Sequence, residues 1–407
     1  TYNVVLITVD TLRADLGFSG YPRPVSPNID ALASRGTVFE HAYAMASYTM
    51  KCLGPMLIGR FASETYRDYE HYTTFYPANV FLAERVRAGG GRTLGAATHR
   101  YFAMKKGIEQ GFDVWDTSAI PPNSSDNETR VTSDVLSDVA IGLLSSPRAE
   151  DIPTGPDGKP THAAKPGAPR AGRFFAWFHY LDPHLPYVPH DDAPRFAHGD
   201  GIPDERAAYD SEVWFTDKHI GRLLDHVAKQ PWAAETAIVL TADHGEAFGE
   251  HALHGHGREL WEPLVRVPLL VYLPGAEPTR VRVKRSHIDI VPTVLDLMGL
   301  PADPSLPGAS LVTDIVPPRS TQAEERDVYM DMPQGPFNEL RRAIITGPAP
   351  GLKLIDYGKG RSRYELYDLV NDPGERQSLS SDAKLLDAAA TALARYRARL
   401  KEIPHTP

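Results

Sequence analysis

The sequence predicts an α/β protein: a doubly wound sheet with helices on both faces, followed by a small α+β subdomain. Two observations carry the first part. "NVVLITVD" (residues 3–10) is a continuous β-branched apolar run ending in an acid, the pattern of a central parallel strand covered on both sides. Runs of the same kind then alternate with helical segments, as sequential βαβ units require. A third observation marks the subdomain. Beyond about residue 315 long runs give way to short strand segments crowded together and one last helix, which reads as an antiparallel sheet packed by a helix.

Taken in order, "SPNIDALASRG" (26–36) is a capped amphipathic helix closed by Gly36. "NVFLAERVRAGGGRTLGAAT" (79–98) gives helix, glycine break and strand. "RFFAWFHYLD" (173–182), "TAIVLTADH" (236–244) and "VPLLVYLPG" (267–275) supply three more buried strands, with helices at about 129–145 and 206–229 between them. Residues 148–170 are rich in Pro, Gly and charge without periodicity, so they are expected to form an exposed loop. "HIDIVPTVLDLMGLP" (287–301) is a helix. "DVYMDM", "RRAIIT", "LKLIDYG" and "YELYDL" are the short strands, and about 381–402 the final helix. The expected units are a catalytic α/β domain over 1–315 and a subdomain over 316–407.

The 407 residues, 42% of them hydrophobic, suffice for a large core. A net charge of -9 with no basic stripe argues against nucleic-acid binding. The single cysteine, Cys52, allows no internal disulfide. No stretch reaches the roughly 18 to 20 apolar residues of a membrane span. The numbering opens directly on a core strand, so a trimmed leader or membrane anchor and an extracytoplasmic location, periplasmic or secreted, are expected. Glycosylation sequons at Asn123 and Asn127 are too common by chance to carry weight.

Functional groups in such sheets collect at the carboxyl ends of strands. There the sequence places Asp10, with Arg13 and Asp15 after it. His179, Asp182 and His184 close a second strand. Asp243 and His244 close a third, and His251, His254 and His256 follow in a glycine-rich loop. Any one of these is ordinarily a turn or cap residue. Acids and imidazoles from three strand ends together point to one divalent cation.

The segments 3–44 ("NVVLITVDTLRADLGFSGYPRPVSPNIDALASRGTVFEHAYA") and 241–275 ("TADHGEAFGEHALHGHGRELWEPLVRVPLLVYLPG") resemble two signature blocks of the sulfatase family, within the alkaline phosphatase superfamily. "HYLDPHLPYVP", "HIDIVPTVLDLMGLP" and "ELYDLVNDPGERQSL" resemble its later landmarks, in order. The resemblance implies a sulfatase-like fold and one divalent ion held by Asp10, Asp243 and His244, with Thr49. It implies that His184 and His256 sit near the substrate's charged group and leaving oxygen, and that the partner is an anionic ester: a small molecule, glycan or lipid headgroup. Two positions depart from the family. Many relatives carry lysine where His256 stands, and often a second acid where Thr11 stands, which implies a thinner coordination shell. By ligand type the set suits Zn, Mn or Mg; Ca is usual in formylglycine sulfatases.

The largest departure is "SYTMKCLGPMLIGR" (47–60). Sulfatases place Cys or Ser in C/S-x-P-S-R and oxidise it to formylglycine. Aligning Gly59-Arg60 with the end of that block sets Thr49 at the nucleophile position, with Lys51, Cys52 and Leu53 replacing proline, serine and arginine. Cys52 has Gly54 two residues on and Met56 four residues on, not the required proline and arginine, so a packing role is expected for it. Threonine cannot become formylglycine, but branches of the superfamily, including nucleotide pyrophosphatases and the phosphoglycerol and phosphoethanolamine transferases, use threonine here. A helix starting at this point would favour an anion. Lys51 is expected to supply the missing arginine's charge, and Arg13, His99 and Tyr101 to line the rim. The expected activity is metal-dependent hydrolysis or transfer of a phosphoester or phosphonate group through Thr49. Its rivals are sulfuric-ester hydrolysis by unmodified threonine, and a catalytically silent sulfatase fold that binds an anionic glycan or lipid headgroup.

Overall fold

The computed structural model describes residues 1–69, 74–104, 106–121, 131–147, 172–196, 204–316, 323–359 and 363–404. The sequons and the 148–170 loop lie outside them. The strands are β1 (Asn3–Val9), β2 (Thr37–Tyr43), β3 (Arg92–Ala97), β4 (Val114–Asp116), β5 (Phe174–Tyr180), β6 (Thr236–Ala242), β7 (Ala247–Phe248), β8 (His254–Gly255), β9 (Leu269–Tyr272) and β10 (Thr279–Ser286). In the second sheet they are β11 (Val328–Met332), β12 (Arg341–Thr346), β13 (Leu352–Asp356) and β14 (Tyr364–Asp368). The helices are α1 (Pro27–Ala33), α2 (Thr49–Ile58), α3 (Leu82–Ala88), α4 (Arg100–Ala103), α5 (Ser133–Leu144), α6 (Asp204–Ala228), α7 (Glu262–Val265), α8 (Ile290–Leu297), α9 (Val312–Ile315) and α10 (Ala383–Arg397).

Eight strands form the large sheet in the order β10-β2-β9-β6-β1-β5-β3-β4. β1 lies at its centre, parallel to β5 and to β6. Alternation along β1 divides the core. Val5, Ile7 and Val9 pack with Ile29, Leu136 and Ile220 from α1, α5 and α6. Val4 and Leu6 face the other way, with Leu53, Leu82 and Val294 from α2, α3 and α8. Each such side chain, fully buried, stabilises the fold by about 1.5–3 kcal/mol, so β1 is apolar from Val4 to Ile7 because both its faces are core.

The sheet is mixed: β9 runs antiparallel to both neighbours, β2 and β6. The sequence reading missed β2, β4 and β10. β10, "TRVRVKRS", alternates charge with apolar residues because it is an edge strand whose Arg280 and Arg282 face solvent. The four short strands form an antiparallel meander, β11-β12-β13-β14, packed by α10. The Asp331 N–H of β11 donates to the Met45 carbonyl at 2.8 Å, tying this sheet to the larger one.

One strand-end acid proves structural. Asp182 is buried and accepts the backbone N–H groups of Thr132 and Ser133 at 2.9 and 2.8 Å and the Ser133 hydroxyl at 2.7 Å. It caps α5 from a distance. Asp182→Ala is therefore expected to destabilise the protein by about 2–3 kcal/mol, the cost of a lost cap plus orphaned buried donors, without changing metal content. Chemical denaturation and metal analysis of the variant check both.

Candidate active site and metal centre

The parallel register of β1 and β6 pairs Val9 with Ala242. It sets Asp10 and Asp243 side by side just past the two strand ends, as their place in the sequence leads one to expect. Beyond Asp10 the chain turns sharply: Thr11 has φ 56, a left-handed conformation uncommon for threonine. That turn aims the Thr11 N–H at Asp243 Oδ1, 3.1 Å away. The His244 N–H donates to the same oxygen at 2.8 Å. Asp243 thus has one oxygen occupied by backbone and the other, Oδ2, without a partner among the described residues.

Asp10 Oδ1 is likewise buried and unpartnered, and His179 Nε2 lies 3.5 Å from Asp10 Oδ2. Ligand atoms of Asp10, His179 and Asp243 all lie within 4.8 Å of one another. His244 Nε2 is 3.4 Å from Asp243 Oδ2 and 3.7 Å from Asp10 Oδ1. Buried polar atoms normally have partners, and two carboxylates at zero exposure repel each other unless something positive lies between them. Burial and the Asp10 charge push Asp243 well above the usual carboxylate range. Burial also works to raise Asp10, but the hydrogen bond from His179 and the neighbouring His184 and His244 hold it below that range. Burial and then His256 push His244 down to about 3, so it is a neutral imidazole. Two acids with the imidazoles of His179 and His244 form a donor set that fits a divalent cation.

Thr49 opens α2 after an extended Tyr48. Its Oγ1 lies 3.2 Å from His244 Nε2 and 3.5 Å from Asp10 Oδ2, so the hydroxyl stands at the edge of the carboxylate–imidazole group and at a helix amino terminus. The His256 ring is 4.5 Å from that of His244 and 5.0 Å from that of His184. His256 Nδ1 is held 3.0 Å from the buried carboxylate of Glu246. Asp10 and His244 thus reach Thr49 directly, with Asp243 beside both of them, His256 beside His244 and His184 beside His256.

The remaining candidates divide. His99 lies 5.9 Å from His184, ring to ring, and the Tyr101 hydroxyl is 3.1 Å from that of Tyr48, so both border the site. Arg13 turns inward instead. Its guanidinium donates to the Glu246 carbonyl at 2.7 Å and pairs with Asp15 and Glu250, each at 2.8 Å, clamping the loop that carries His256. His251 stacks on Trp261 at 3.8 Å, and His254 pairs with Glu205. Lys51 departs from expectation. Two residues beyond Thr49 it points from a different face of α2, and its ammonium donates to the Pro333 carbonyl at 2.8 Å and to Asn338. Cys52 is fully buried, and burial pushes its thiol well up.

Two residues of the site were missed. His179 was noted at a strand end but left out of the ligand set; the pairing of β1 with β5 sets it opposite Thr8, whose hydroxyl orients the ring at 2.9 Å. Glu246 gave no signal beyond its place in the histidine-rich loop.

With this geometry in hand, comparison with known proteins is direct. The sulfatase family model matches residues 2–300, and the C-terminal model of N-sulphoglucosamine sulphohydrolase matches residues 249–402. The chain belongs to the sulfatase family. It is 23% identical to a Delta 4,5-hexuronate-2-O-sulfatase of Bacteroides thetaiotaomicron over 98% of this chain and 88% of that one. It is 29% identical to the sulfatase YidJ of Escherichia coli over 42% of this chain, a match that spans 33% of that relative's length. The phosphonate monoester hydrolase of Agrobacterium radiobacter shares the fold, with a TM-score of 0.67 at 19% identity, covering 98% of this chain and 95% of that one.

Metal content tests the donor set of this sulfatase-family chain. Asp243→Asn keeps the oxygen that accepts from Thr11 but removes the charge, so occupancy after incubation with Zn or Mn is expected to fall at least tenfold. His179→Ala is expected to weaken binding by a similar factor, whereas His254→Ala leaves it unchanged. Elemental analysis of the folded variants reads all three.

Proposed function

We propose that the chain is a metal-dependent hydrolase or transferase of an anionic ester, using Thr49 as nucleophile on a phosphoester or phosphonate group. The observation that carries this reading is the Thr49 hydroxyl, 3.2 Å from His244 Nε2 and 3.5 Å from Asp10 Oδ2, at the position that the sequence resemblance matches to the formylglycine precursor. Asp10, Asp243 and His244 hold the ion in this proposal, with Thr49 at its edge and His179 as a further donor. When bound, a divalent cation supplies Lewis acidity, lowering a hydroxyl's pKa and screening the oxygens of the transferred group.

The chain's own residues do the rest. Thr49 Oγ bonds to phosphorus as the bond to the leaving oxygen breaks, its proton passing to solvent. The His256 imidazolium, held by Glu246 through Nδ1, gives its proton to the departing oxygen, and His184 stands beside it to bind the transferred group. Water, or an acceptor alcohol in a transferase, then attacks phosphorus. Its proton returns to His256 and the bond to Oγ breaks, Oγ regaining a proton from solvent. Phosphorus is favoured over sulfur because formylglycine frees sulfate by collapse of a hemiacetal, a route closed to threonine. Phosphoryl groups leave a plain alkoxide by in-line attack. Lys51 has no direct part in these steps; it fixes the Pro333–Asn338 turn.

A second reading, hydrolysis of a sulfuric ester on a glycan by unmodified threonine, is favoured by the Bacteroides sulfatase matched over nearly the whole chain. A parallel screen of an aryl phosphate, phosphodiester, phosphonate and sulfate separates the two. No turnover of any, by protein loaded with metal, would support the silent binder.

Thr49→Ala is expected to abolish turnover, and Thr49→Ser to retain a measurable fraction because its hydroxyl occupies the same carbon. Cys52→Ala should stay within a few-fold of wild type. Rapid quench with a phosphoester, followed by peptide mass spectrometry, should show a phosphoryl mass gain on the Thr49 peptide. Full activity in Thr49→Ala would end the assignment.

A further inference from the structure

We propose a second anion-binding site, remote from Thr49, that takes a tetrahedral oxyanion: a sulfate or phosphate group, free or carried by an extended substrate. A cavity of about 350 Å³ lies where the end of β10, the start of β11 and the end of α10 meet. Neither Thr49 nor any residue of the donor set lines it. It is bordered by β11, whose other end lies beside the nucleophile segment: Ser47 contacts Met332, and Lys51 holds Pro333. At about 3.3 Å per residue, the two places are roughly 15 Å apart, within reach of one oligosaccharide.

The lining is specific in charge. Lys284 pairs with Glu325 at 2.8 Å, Arg285 with Asp314 through two bonds at 2.6 and 2.8 Å, and Arg326 with Asp289 at 3.0 and 3.2 Å. These three cations are neutralised in place. Arg395, in the last turn of α10, and Arg399, just past its end, also line the cavity, and neither has an ion pair with a described residue. Two guanidinium groups without an acidic partner on one cavity wall are relieved by an anion.

Two buried hydroxyls complete the site. Ser286 Oγ and Tyr329 Oη border the cavity, are 4% and 1% exposed as residues, and have no hydrogen-bond partner among the described residues. A buried hydroxyl without a partner costs about 1–3 kcal/mol, and an oxyanion accepts from both. Guanidinium groups with hydroxyl donors around a closed space are the chemistry that binds sulfate and phosphate esters. Asp327 is the opposing charge on the rim, and it limits the site to a single anion.

The test is isothermal titration of the full, metal-loaded chain with inorganic sulfate and then phosphate at low ionic strength. Wild type is expected to bind two equivalents, one at Thr49 and one here, and R395A/R399A only one. Asp327→Asn is expected to tighten the second event several-fold. It also keeps the test open should the arginine variant misfold. Unchanged stoichiometry and affinity in a folded R395A/R399A, or unchanged affinity in Asp327→Asn, overturns the site. Kinetics then identify the source, an arm that rests on the catalytic reading above. A free oxyanion changes turnover of a small aryl ester in wild type but not in R395A/R399A. A substrate-borne group leaves the aryl ester unaffected and raises KM at least tenfold for an oligosaccharide bearing two anionic esters.

Discussion

Two carboxylates side by side in a water-free place set the terms for the rest of this structure. Asp10 and Asp243 are both at zero exposure, brought together by the parallel register of β1 and β6. Like charges at this range in a low-dielectric interior repel by several kcal/mol, and a fold that keeps them must carry what reconciles them. The surroundings are consistent with that demand. Backbone N–H groups of Thr11 and His244 fix one oxygen of Asp243, at the cost of a left-handed turn at Thr11. The imidazoles of His179 and His244 crowd the remaining oxygens. Burial keeps His244 uncharged, so it offers a lone pair rather than a rival charge.

The nucleophile helix obeys the same geometry. A helix turns about 100° per residue, so α2 cannot present Thr49, Lys51 and Cys52 to one point. Thr49 takes the face toward Asp10 and His244, Cys52 goes into the core, and Lys51 reaches Pro333 and Asn338 in the second sheet. Family relatives place an arginine four residues past the nucleophile, which returns to nearly the same face. Here that position is Leu53, also buried. α2 therefore brings no basic side chain to Thr49.

Much of this was legible in the sequence. β1, β5 and β6 were readable because strands buried on both faces are apolar at every position, with no competing interpretation. Thr49 was singled out because Gly59 and Arg60 match the end of a family block whose motif is otherwise lost. What escaped did so for physical reasons. β10 looks like a charged linker because one of its sides faces water. β9 is apolar like its neighbours, and nothing in a short buried run records that it runs antiparallel. Lys51 was misjudged because proximity in sequence is not proximity on a helix, and Asp182 because an acid after a strand looks the same whether it holds a metal or caps a helix.

The second sheet completes the argument, for it braces the catalytic face through charges that would be costly if broken. Lys353 is fully buried and pairs with Glu262 at 3.0 Å and Glu375 at 2.8 Å, while Arg341 grips Glu259 through two bonds at 2.7 and 2.8 Å. Glu259 and Glu262 lie immediately after His256 in the chain. Asp331, on the other side, accepts from the Ser63 N–H at 2.8 Å and from Arg342 at 3.1 Å, just past the end of α2. Breaking a buried pair by removing one partner typically costs 3–5 kcal/mol, so neither the histidine loop nor the nucleophile helix can shift independently of this sheet. The meander and its helix therefore act as a rigid back plate. They fix the segments that carry His256 and Thr49 relative to each other, as the proposed reaction requires.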